Sequence, residues 1–461
     1  MKTKSFLFLA ILCTCVGTMV QCKKNTDDIP ETTSNNSELA KYNLTEQDLK
    51  EHQFTIPGAS SIKSNDEANS KIENETIAAS IKSISDNSAG QLTTRANPAF
   101  DVNLFLPLVS SALKNKVIGY SLHVTQGNSV IGDFQYHWAK TPNDGNQIWS
   151  ADTRMHIAST SKLMTAMGLV KLLDKKNISL DAPIAPYLPT YWIRGFNFNQ
   201  RVTFRKLLQH TSGFSGTDSK CDYQFMKEQV AKNIFINANI PLPFEYANVN
   251  YSIMRVLITV IDGKLTAGTT FNLPANFILD AAWDVVSVNY FQDYMNKEVF
   301  SKAGLPTIGF DPSVGGPTAK AYQDYNSSSG RDGNWGSVSG AAGFYMSTNQ
   351  VLKTINAFRN NLIVPSTLAN TTPANPNRAQ YMLNNALGVN GAFASPVGGI
   401  FLRKGQWDYN SGEEQTVEYM LPNNVNVTVF VNSRVKDFIA DDGNGKHIHA
   451  LISAAVLQSI H

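Results

Sequence analysis

Residues 155–167 read Met-His-Ile-Ala-Ser-Thr-Ser-Lys-Leu-Met-Thr-Ala-Met and place Ser159 three positions before Lys162. The apolar residues beyond Ser159 recur at helical spacing, which predicts an amphipathic helix ending at Lys175-Lys176-Asn177. Residues three apart share a helix face, so the hydroxyl and the amine are expected to lie side by side. A lysine held in a dry pocket loses part of its preference for the proton and can then accept one from a neighbouring hydroxyl. The stretch therefore carries the minimum needed for a serine nucleophile that uses no histidine.

The Ser-x-x-Lys spacing by itself does not identify a catalytic serine. Serine is also a common capping residue at the start of a helix, where it has no catalytic meaning. The spacing occurs four times in the chain, at Ser60/Lys63, Ser111/Lys114, Ser159/Lys162 and Ser433/Lys436. The surrounding sequence has to distinguish these copies.

The composition limits the classes of function. The 461-residue chain is 42% hydrophobic, which is enough for one large domain or two ordinary ones. Its 39 basic and 37 acidic residues give a net charge of +2, with no basic block or stripe. A nucleic-acid partner is therefore not predicted, because such a partner needs a concentrated basic surface.

The N-terminus predicts export. Basic residues precede an apolar run from Phe6 to Val20, which is too short to favour a membrane span and is typical of a signal peptide. Residues 19–22 read Met-Val-Gln-Cys and resemble the end of a bacterial lipoprotein signal, so 1–22 is interpreted as that signal and Cys22 as the lipidated residue. The alternative is an ordinary secretory signal cut nearby. We expect a periplasmic or cell-surface lipoprotein held to the membrane through Cys22.

The cysteines and the next segment agree with this interpretation. Only Cys221 lies beyond the signal, so no internal disulfide framework is predicted, and this side chain is expected to be inert. Residues 23–96 are polar with weak periodicity, which predicts a tether or a loosely ordered extension.

The rest of the chain, 97–461, predicts one α/β (α+β) domain. Strands are predicted near both ends, and the middle is mostly helical with long loops. One antiparallel sheet flanked by helices is therefore expected from 97–158 and 330–461, with a helical subdomain inserted at 159–329. The predicted strands are 117–125, 129–138, 399–407, 415–421 and 425–432, and the predicted terminal helices are 103–115 and 447–460.

A second motif with chemical potential is Tyr246-Ala-Asn248. A tyrosine near a lysine ammonium can be held partly as phenolate and act as general base or acid. The alternative is a packed tyrosine with one hydrogen bond, and Tyr-x-Asn recurs at Tyr294-Met-Asn296. Two further stretches, 202–213 and the Gly-rich 336–348, look structural when taken alone.

Taken in order, these segments resemble the serine beta-lactamase and penicillin-binding-protein superfamily, and in particular its class C beta-lactamase-related serine hydrolase branch. The resemblance covers roughly 99–461 and implies a beta-lactamase/transpeptidase-like fold. It also singles out Ser159 among the Ser-x-x-Lys copies. The matching segments are 157–166, 181–189, 207–213, 246–248, 299–305 and 336–348.

The resemblance implies a role for each matching residue. Ser159 would be the acylated nucleophile, Lys162 its proton acceptor or electrostatic activator, and Tyr246 the partner general base. Asn248 matches a supporting position in substrate binding. The backbone N–H of Ser159 would form half of an oxyanion hole. No cofactor and no metal are implied.

The third family motif departs from the usual pattern. A Lys-Thr-Gly or His-x-Gly is expected on a strand facing the serine, and the best match is Arg403-Lys404-Gly405. These residues are predicted to bind substrate, with Gly405 leaving room for it to lie against the strand. Arg403 supplies positive charge, or Lys404 does so if the register differs, and the N–H of Gln406 would complete the oxyanion hole. The alternative is a purely structural strand.

The predicted function is that of an exported serine hydrolase acting through an acyl-enzyme on esters, small amides or D-amino-acid peptides, with beta-lactams admitted as substrates. The alternative is a non-catalytic surface-binding protein that keeps the fold, which the irregular Arg403 would favour. A metal site at His447-Ile-His449 is disfavoured, because no third ligand accompanies it. Residues 266–290 look like an insertion beside the helical subdomain, with a role that the sequence leaves open.

Overall fold

The computed structural model describes residues 35–52, 100–194, 201–215, 221–232, 242–365, 377–395, 398–409, 412–436 and 448–460. The strands are β1 Gly119–Gln126, β2 Ser129–Lys140, β3 Gln147–Ile148, β4 Met155–His156, β5 Tyr345–Met346, β6 Gly391–Ser395, β7 Gly398–Tyr409, β8 Gly412–Met420 and β9 Val425–Val431. The helices are α1 Asn35–Ala40, α2 Glu46–Glu51, α3 Val102–Leu113, α4 Ser161–Lys175, α5 Phe204–Leu208, α6 Tyr223–Ala231, α7 Val249–Ile261, α8 Phe277–Glu298, α9 Thr348–Arg359, α10 Arg378–Asn384 and α11 His449–Gln458.

Both ends of the domain contribute to one antiparallel sheet. Its seven strands lie in the order β3-β2-β1-β9-β8-β7-β6, so β1 pairs with β9 although about 300 residues separate them. This confirms the predicted sheet completed by both chain ends. Strand β6 was not predicted, because its Gly-Ala-Phe-Ala-Ser sequence has little of the β-branched and aromatic character that marks a strand.

The two faces of the sheet pack against different layers. Side chains alternate along each strand, so neighbours such as Val429 and Phe430 belong to different apolar clusters. One cluster joins the sheet to α3 and α11, where Val109 and Ile452 are buried. The other joins it to α9 and the helices of the 159–329 region, where Leu163 is buried. The Ser-x-x-Lys motif at 159–162 and the Tyr-x-Asn motif at 246–248 lie on this second side.

Part of the predicted tether packs on the helical region. In residues 35–52, Leu39 and Leu49 are fully buried, and Tyr42 meets Phe271 edge to face at 5.1 Å. His52 also hydrogen-bonds Asp284 on α8 at 2.8 Å. The 266–290 insertion therefore provides a surface on which α1 and α2 pack.

Several predictions concern N-terminal residues that the structure does not describe. The signal, Cys22 and most of the predicted tether lie outside the described residues. Within the described ranges, no helix has the combination of length and hydropathy that crossing a bilayer requires.

Candidate active site

Ser159 lies in a tight turn between β4 and α4. Residues Ala158–Thr160 form a 3₁₀ turn, so Ser159 precedes the α-helix by two positions instead of starting it. Ala158 has φ +45°, a conformation that is uncommon and strained for a residue with a side chain. The residue at the cap position of α4 is Thr160, which makes no side-chain capping bond. Ser159 is therefore not the capping residue of this helix.

Lys162 is fully buried beside Ser159. Its Nζ lies 2.8 Å from Ser159 Oγ, 2.7 Å from Asn248 Oδ1 and 2.9 Å from the carbonyl oxygen of Ala341. Burial lowers the pKa of Lys162 to about 8, with a raising contribution from Tyr246 and a further lowering one from Arg403. The free amine of Lys162 is therefore much more populated near neutral pH than that of an exposed lysine.

Tyr246 completes the cluster around the serine. Its hydroxyl lies 2.7 Å from Ser159 Oγ, on a partly exposed side chain just before α7. Burial raises the pKa of Tyr246, but the charges of Lys162 and Arg403 outweigh that effect and leave the pKa below its usual 10. The structure thus brings Ser159, Lys162, Tyr246 and Asn248 together, as the motifs predicted.

His210 was not assigned a role from the sequence and supports Tyr246 from behind. Its ring stacks on that of Tyr246 at 4.6 Å, and its Nδ1 accepts the backbone N–H of Ala247 at 3.2 Å. The amide of Asn250 lies 3.2 Å from the same nitrogen. Burial first, then the charges of Lys162 and Arg403, hold the pKa of His210 well below 6.5, so the ring is neutral and Nδ1 remains an acceptor. The sequence feature that could have identified this residue is the histidine within the 207–213 motif.

The Gly-rich loop contacts Lys162 and the helix that carries it through backbone oxygens. Besides the Ala341 carbonyl, the Gly340 carbonyl accepts the hydroxyl of Thr165 on α4 at 2.7 Å. The loop is fixed in turn by His156, whose Nε2 accepts the N–H of Gly343 at 3.1 Å and whose Nδ1 contacts Glu414. The 336–348 motif therefore positions the buried amine.

Arg403 contacts the nucleophile's own backbone. Its Nε donates to the Ser159 carbonyl oxygen at 2.8 Å, and its side chain is 1% exposed. Side chains alternate between the two faces of β7, with Phe401 in the cluster on the serine side and Leu402 in the other. Arg403 therefore lies on the same face as Phe401, and Lys404 lies on the opposite face. The suggestion that Lys404 supplies the charge at the serine is therefore corrected, and Arg403 supplies it.

Gly405 packs closely against the turn that carries the serine. A Cβ at this position would lie 2.6 Å from the Ile157 carbonyl oxygen and 2.9 Å from the Thr160 nitrogen. The missing side chain thus lets the strand pack against the turn that carries Ser159, and the predicted role of Gly405 in substrate binding remains a prediction.

Gln406 lies beyond the part of β7 that pairs with β6 among the described residues. The N–H of Lys404 donates to Asn390 Oδ1 at 3.1 Å on the β6 side, and N–H directions alternate along a strand. The N–H of Gln406 therefore points to the same side, beyond the last ladder pair, Gly391 with Leu402. This direction suits the predicted oxyanion-hole donor, whose role remains a prediction.

Three other side chains singled out in the sequence are Cys221, His447 and His449. Cys221 is buried, and burial raises its pKa to about 11, which disfavours the reactive thiolate. Within the described ranges, no group of three or more His, Cys, Asp or Glu side chains could hold a metal ion. His447 lies outside those ranges, and His449 begins α11.

The site is a serine flanked by a buried lysine and a tyrosine, beside an antiparallel sheet with an inserted helical region. This arrangement is typical of a serine hydrolase that uses lysine and tyrosine as bases. The chain belongs to the Beta-lactamase family, whose sequence profile matches residues 105–450. It is therefore a member of a family of serine hydrolases with the beta-lactamase fold.

Solved structures share this fold at low sequence identity. A class C beta-lactamase from Rhodobacter sphaeroides has a TM-score of 0.52 and 16% identity, covering 77% of this chain and 99% of that one. A D-amino acid amidase from Ochrobactrum anthropi SV3 has a TM-score of 0.55 and 16% identity, covering 77% and 97%.

The curated relatives match over shorter stretches. The esterase/beta-lactamase LipL of Mycobacterium tuberculosis is 33% identical over 88 residues, which is 18% of this chain and 20% of LipL. The first relatives found are covered over a third of their length or less, at 33%, 20% and 30%.

Proposed function

We propose that this protein is an exported serine hydrolase that forms an acyl-enzyme on Ser159. The observation that carries the proposal is the placement of Ser159 Oγ 2.8 Å from the Lys162 amine and 2.7 Å from the Tyr246 hydroxyl. Both groups have a pKa below the usual value, which makes the deprotonated, proton-accepting form of each more available than it is in water.

The first step is attack of Ser159 Oγ on a carbonyl carbon. As the new C–O bond forms, the serine proton passes to the Lys162 amine or the Tyr246 phenolate, and the carbonyl electron pair moves onto oxygen. The N–H groups of Ser159 and Gln406 would stabilise that oxyanion.

Collapse of the tetrahedral intermediate expels the leaving group. The alcohol or amine leaves with a proton from Tyr246 or Lys162, and the acyl group stays on Ser159. Water then attacks the acyl carbon and gives a proton to the same base. The bond between the acyl carbon and Ser159 Oγ breaks, the base returns the proton to Oγ, and the product leaves as a carboxylic acid. On the protein, the proton transfers involve only Ser159, Lys162 and Tyr246, and Asn248 takes part as a hydrogen-bond acceptor of Lys162.

The proposed substrates are esters, small amides or D-amino-acid peptides, with beta-lactams included. Support comes from the relatives' names, which include an esterase/beta-lactamase, a D-amino acid amidase and a class C beta-lactamase. Hydrolysis of a panel that contains an ester, a small amide, a D-amino-acid peptide and a beta-lactam distinguishes these substrate classes.

The alternative is a non-catalytic binding protein that keeps the fold. Such a protein has no need for a desolvated lysine, which costs folding free energy because burial disfavours its charge. The compact contacts of Lys162 with Ser159 and Asn248 therefore favour the catalytic proposal.

The test is covalent labelling of the purified protein with a fluorophosphonate and with a fluorescent penicillin. We expect the wild type to be labelled by at least one probe and Ser159→Ala to be unlabelled. Ser111→Ala is the matched control, since this exposed serine also has a lysine three positions later. Equal labelling of the wild type and Ser159→Ala, or no reaction with any probe or ester, would overturn the proposal.

Export and lipid anchoring at Cys22 form a separate part of the proposal, supported by the apolar N-terminal run and the cysteine at its end. Expression in a bacterial host with radiolabelled palmitate should label the wild type in the membrane fraction. Cys22→Ala should lose the label and leave that fraction. A labelled Cys22→Ala protein would contradict this assignment.

A further inference from the structure

A fully buried carboxyl group, Glu418 on β8, lies beneath the turn that carries the nucleophile. Its Oε2 accepts a hydrogen bond from the hydroxyl of Thr160 at 2.7 Å, and the residue directly opposite it on β7 is Arg403. Thr160 immediately follows Ser159, so this carboxyl group reaches the nucleophile through a single intervening side chain.

The turn is held to the sheet at three of its residues, Ile157, Ser159 and Thr160. Thr416 donates to the Ile157 carbonyl oxygen at 3.2 Å, and Arg403 donates to that of Ser159 at 2.8 Å. The Thr160–Glu418 bond is the third. Because Ala158 between them has φ +45°, the turn persists only if its surroundings determine its geometry.

The Thr160 hydroxyl does not cap the helix and instead contacts the sheet. At the cap position of a helix a threonine normally accepts a backbone N–H of the first turn, and Thr160 makes no such bond. Its Oγ1 instead lies 2.7 Å from Glu418 and 2.9 Å from the hydroxyl of Thr416. The capping interaction is given up for a contact with the sheet.

Glu418 is costly as a purely structural residue. Burial raises its pKa to about 8, against lowering contributions from Thr160 and Arg403, so it is mostly protonated at neutral pH. Its other oxygen, Oε1, has no hydrogen-bond partner among the described residues. An apolar side chain of similar size would avoid this desolvation cost.

We propose that Glu418 is a positioning residue for the hydrolase reaction, acting through Thr160 to hold Ser159 in register with Lys162 and Tyr246. This inference rests on the proposed role of Ser159 as nucleophile. Glu418 touches neither the reacting atoms nor Ser159 itself, so its effect has to pass through the Thr160 hydroxyl.

The test is the second-order rate constant for fluorophosphonate labelling of Ser159. Thr160→Val keeps the shape and removes the hydroxyl, and Glu418→Leu removes the acceptor. We expect each to slow labelling by about 10- to 100-fold, since small misplacements of a reacting group have effects of this size. The double variant should be no slower than the slower single one, because both changes remove one interaction.

Glu418→Gln separates positioning from charge. Its amide oxygen can still accept the Thr160 hydroxyl, so labelling should stay within about threefold of the wild type. Thr428→Val is the matched control, since Thr428 lies opposite Glu418 on β9 and its buried hydroxyl has no partner among the described residues. That control should label at the wild-type rate.

Three results would overturn the proposal: wild-type labelling in Thr160→Val, multiplying effects in the double variant, or Glu418→Gln as slow as Glu418→Leu. Melting temperatures separate rate effects from unfolding, and if Glu418→Leu does not fold, Thr160→Val and Glu418→Gln decide. A wild type that is not labelled at all would instead remove the proposed function, and this inference with it.

Discussion

The Lys162 amine lies 2.8 Å from the Ser159 hydroxyl, and its other two contacts are to the carbonyl-type oxygens of Asn248 and Ala341. Those oxygens can only accept hydrogen bonds. In the free-amine form, Lys162 has two N–H groups to donate and one lone pair. With both N–H groups directed to the two oxygens, the lone pair faces Ser159. The three contacts therefore orient the amine as a proton acceptor.

This orientation predicts a pH dependence for acylation. Because burial lowers the pKa of Lys162 to about 8, the reactive free amine is the minor form below that pH. The second-order labelling rate should rise by about tenfold per pH unit well below the pKa and level off above it. A stopped-flow or quenched time course from pH 5.5 to 9.5 measures this, and a rate that falls over this range would contradict it.

Two substitutions separate the contributions of the bases. Lys162→Met removes the amine and should lower the labelling rate by about 10²- to 10⁴-fold, the usual range for a general base. Tyr246→Phe should also slow labelling but keep the rise near pH 8, since Lys162 remains. If the rise survives in Lys162→Met and disappears in Tyr246→Phe, Tyr246 is the acceptor and the assignment to Lys162 is wrong.

Gly405 should tolerate no side chain. In Gly405→Ala the new Cβ would meet backbone atoms of Ile157 and Thr160 at 2.6 and 2.9 Å, so the turn or the strand has to move. We expect a loss of about 1–3 kcal/mol in the free energy of unfolding and a larger relative loss of labelling. Gly268→Ala is the control, because nothing lies within 4 Å of its added Cβ. Unchanged labelling in Gly405→Ala would show that close packing of β7 against the turn of residues 157–160 does not determine the position of Ser159.

The N-terminal helices should contribute to stability. Leu49 of α2 is fully buried, so Leu49→Ala should lower the free energy of unfolding by about 2–5 kcal/mol. The neighbouring Lys50→Ala changes an exposed side chain and should stay within about 0.5 kcal/mol. Denaturant unfolding of the chain from residue 23 onward measures both. Equal stability of the two variants would mean that α1 and α2 do not pack on the domain.

Much of the fold could be predicted because its strands alternate and its turns carry recognisable residues. The hairpin from β1 to β2 and the C-terminal strands followed from these signals. Strand β6 did not, because small residues give it weak strand character. The packing of residues 35–52 was missed because three leucines among polar residues give too little periodicity to indicate burial.

The site was predicted where side chains carry the chemistry. Ser159, Lys162 and Tyr246 have recognisable motifs, and the structure brings them together. The Ala341 carbonyl could not be foreseen, since a backbone oxygen leaves no mark on residue identity. The contacts of Arg403 and Glu418 depend on strand register across the sheet, which the sequence does not specify residue by residue.

A covalent acyl-enzyme on Ser159 can be detected by mass spectrometry of the acid-quenched reaction with a slowly turned-over ester. Trypsin cleavage after Arg154 and Lys162 releases residues 155–162, which contain the serine. We predict a single acyl group on this peptide, assigned to Ser159 by fragmentation and absent from Ser159→Ala. An acyl group on another residue, or one that persists in Ser159→Ala, would contradict the account.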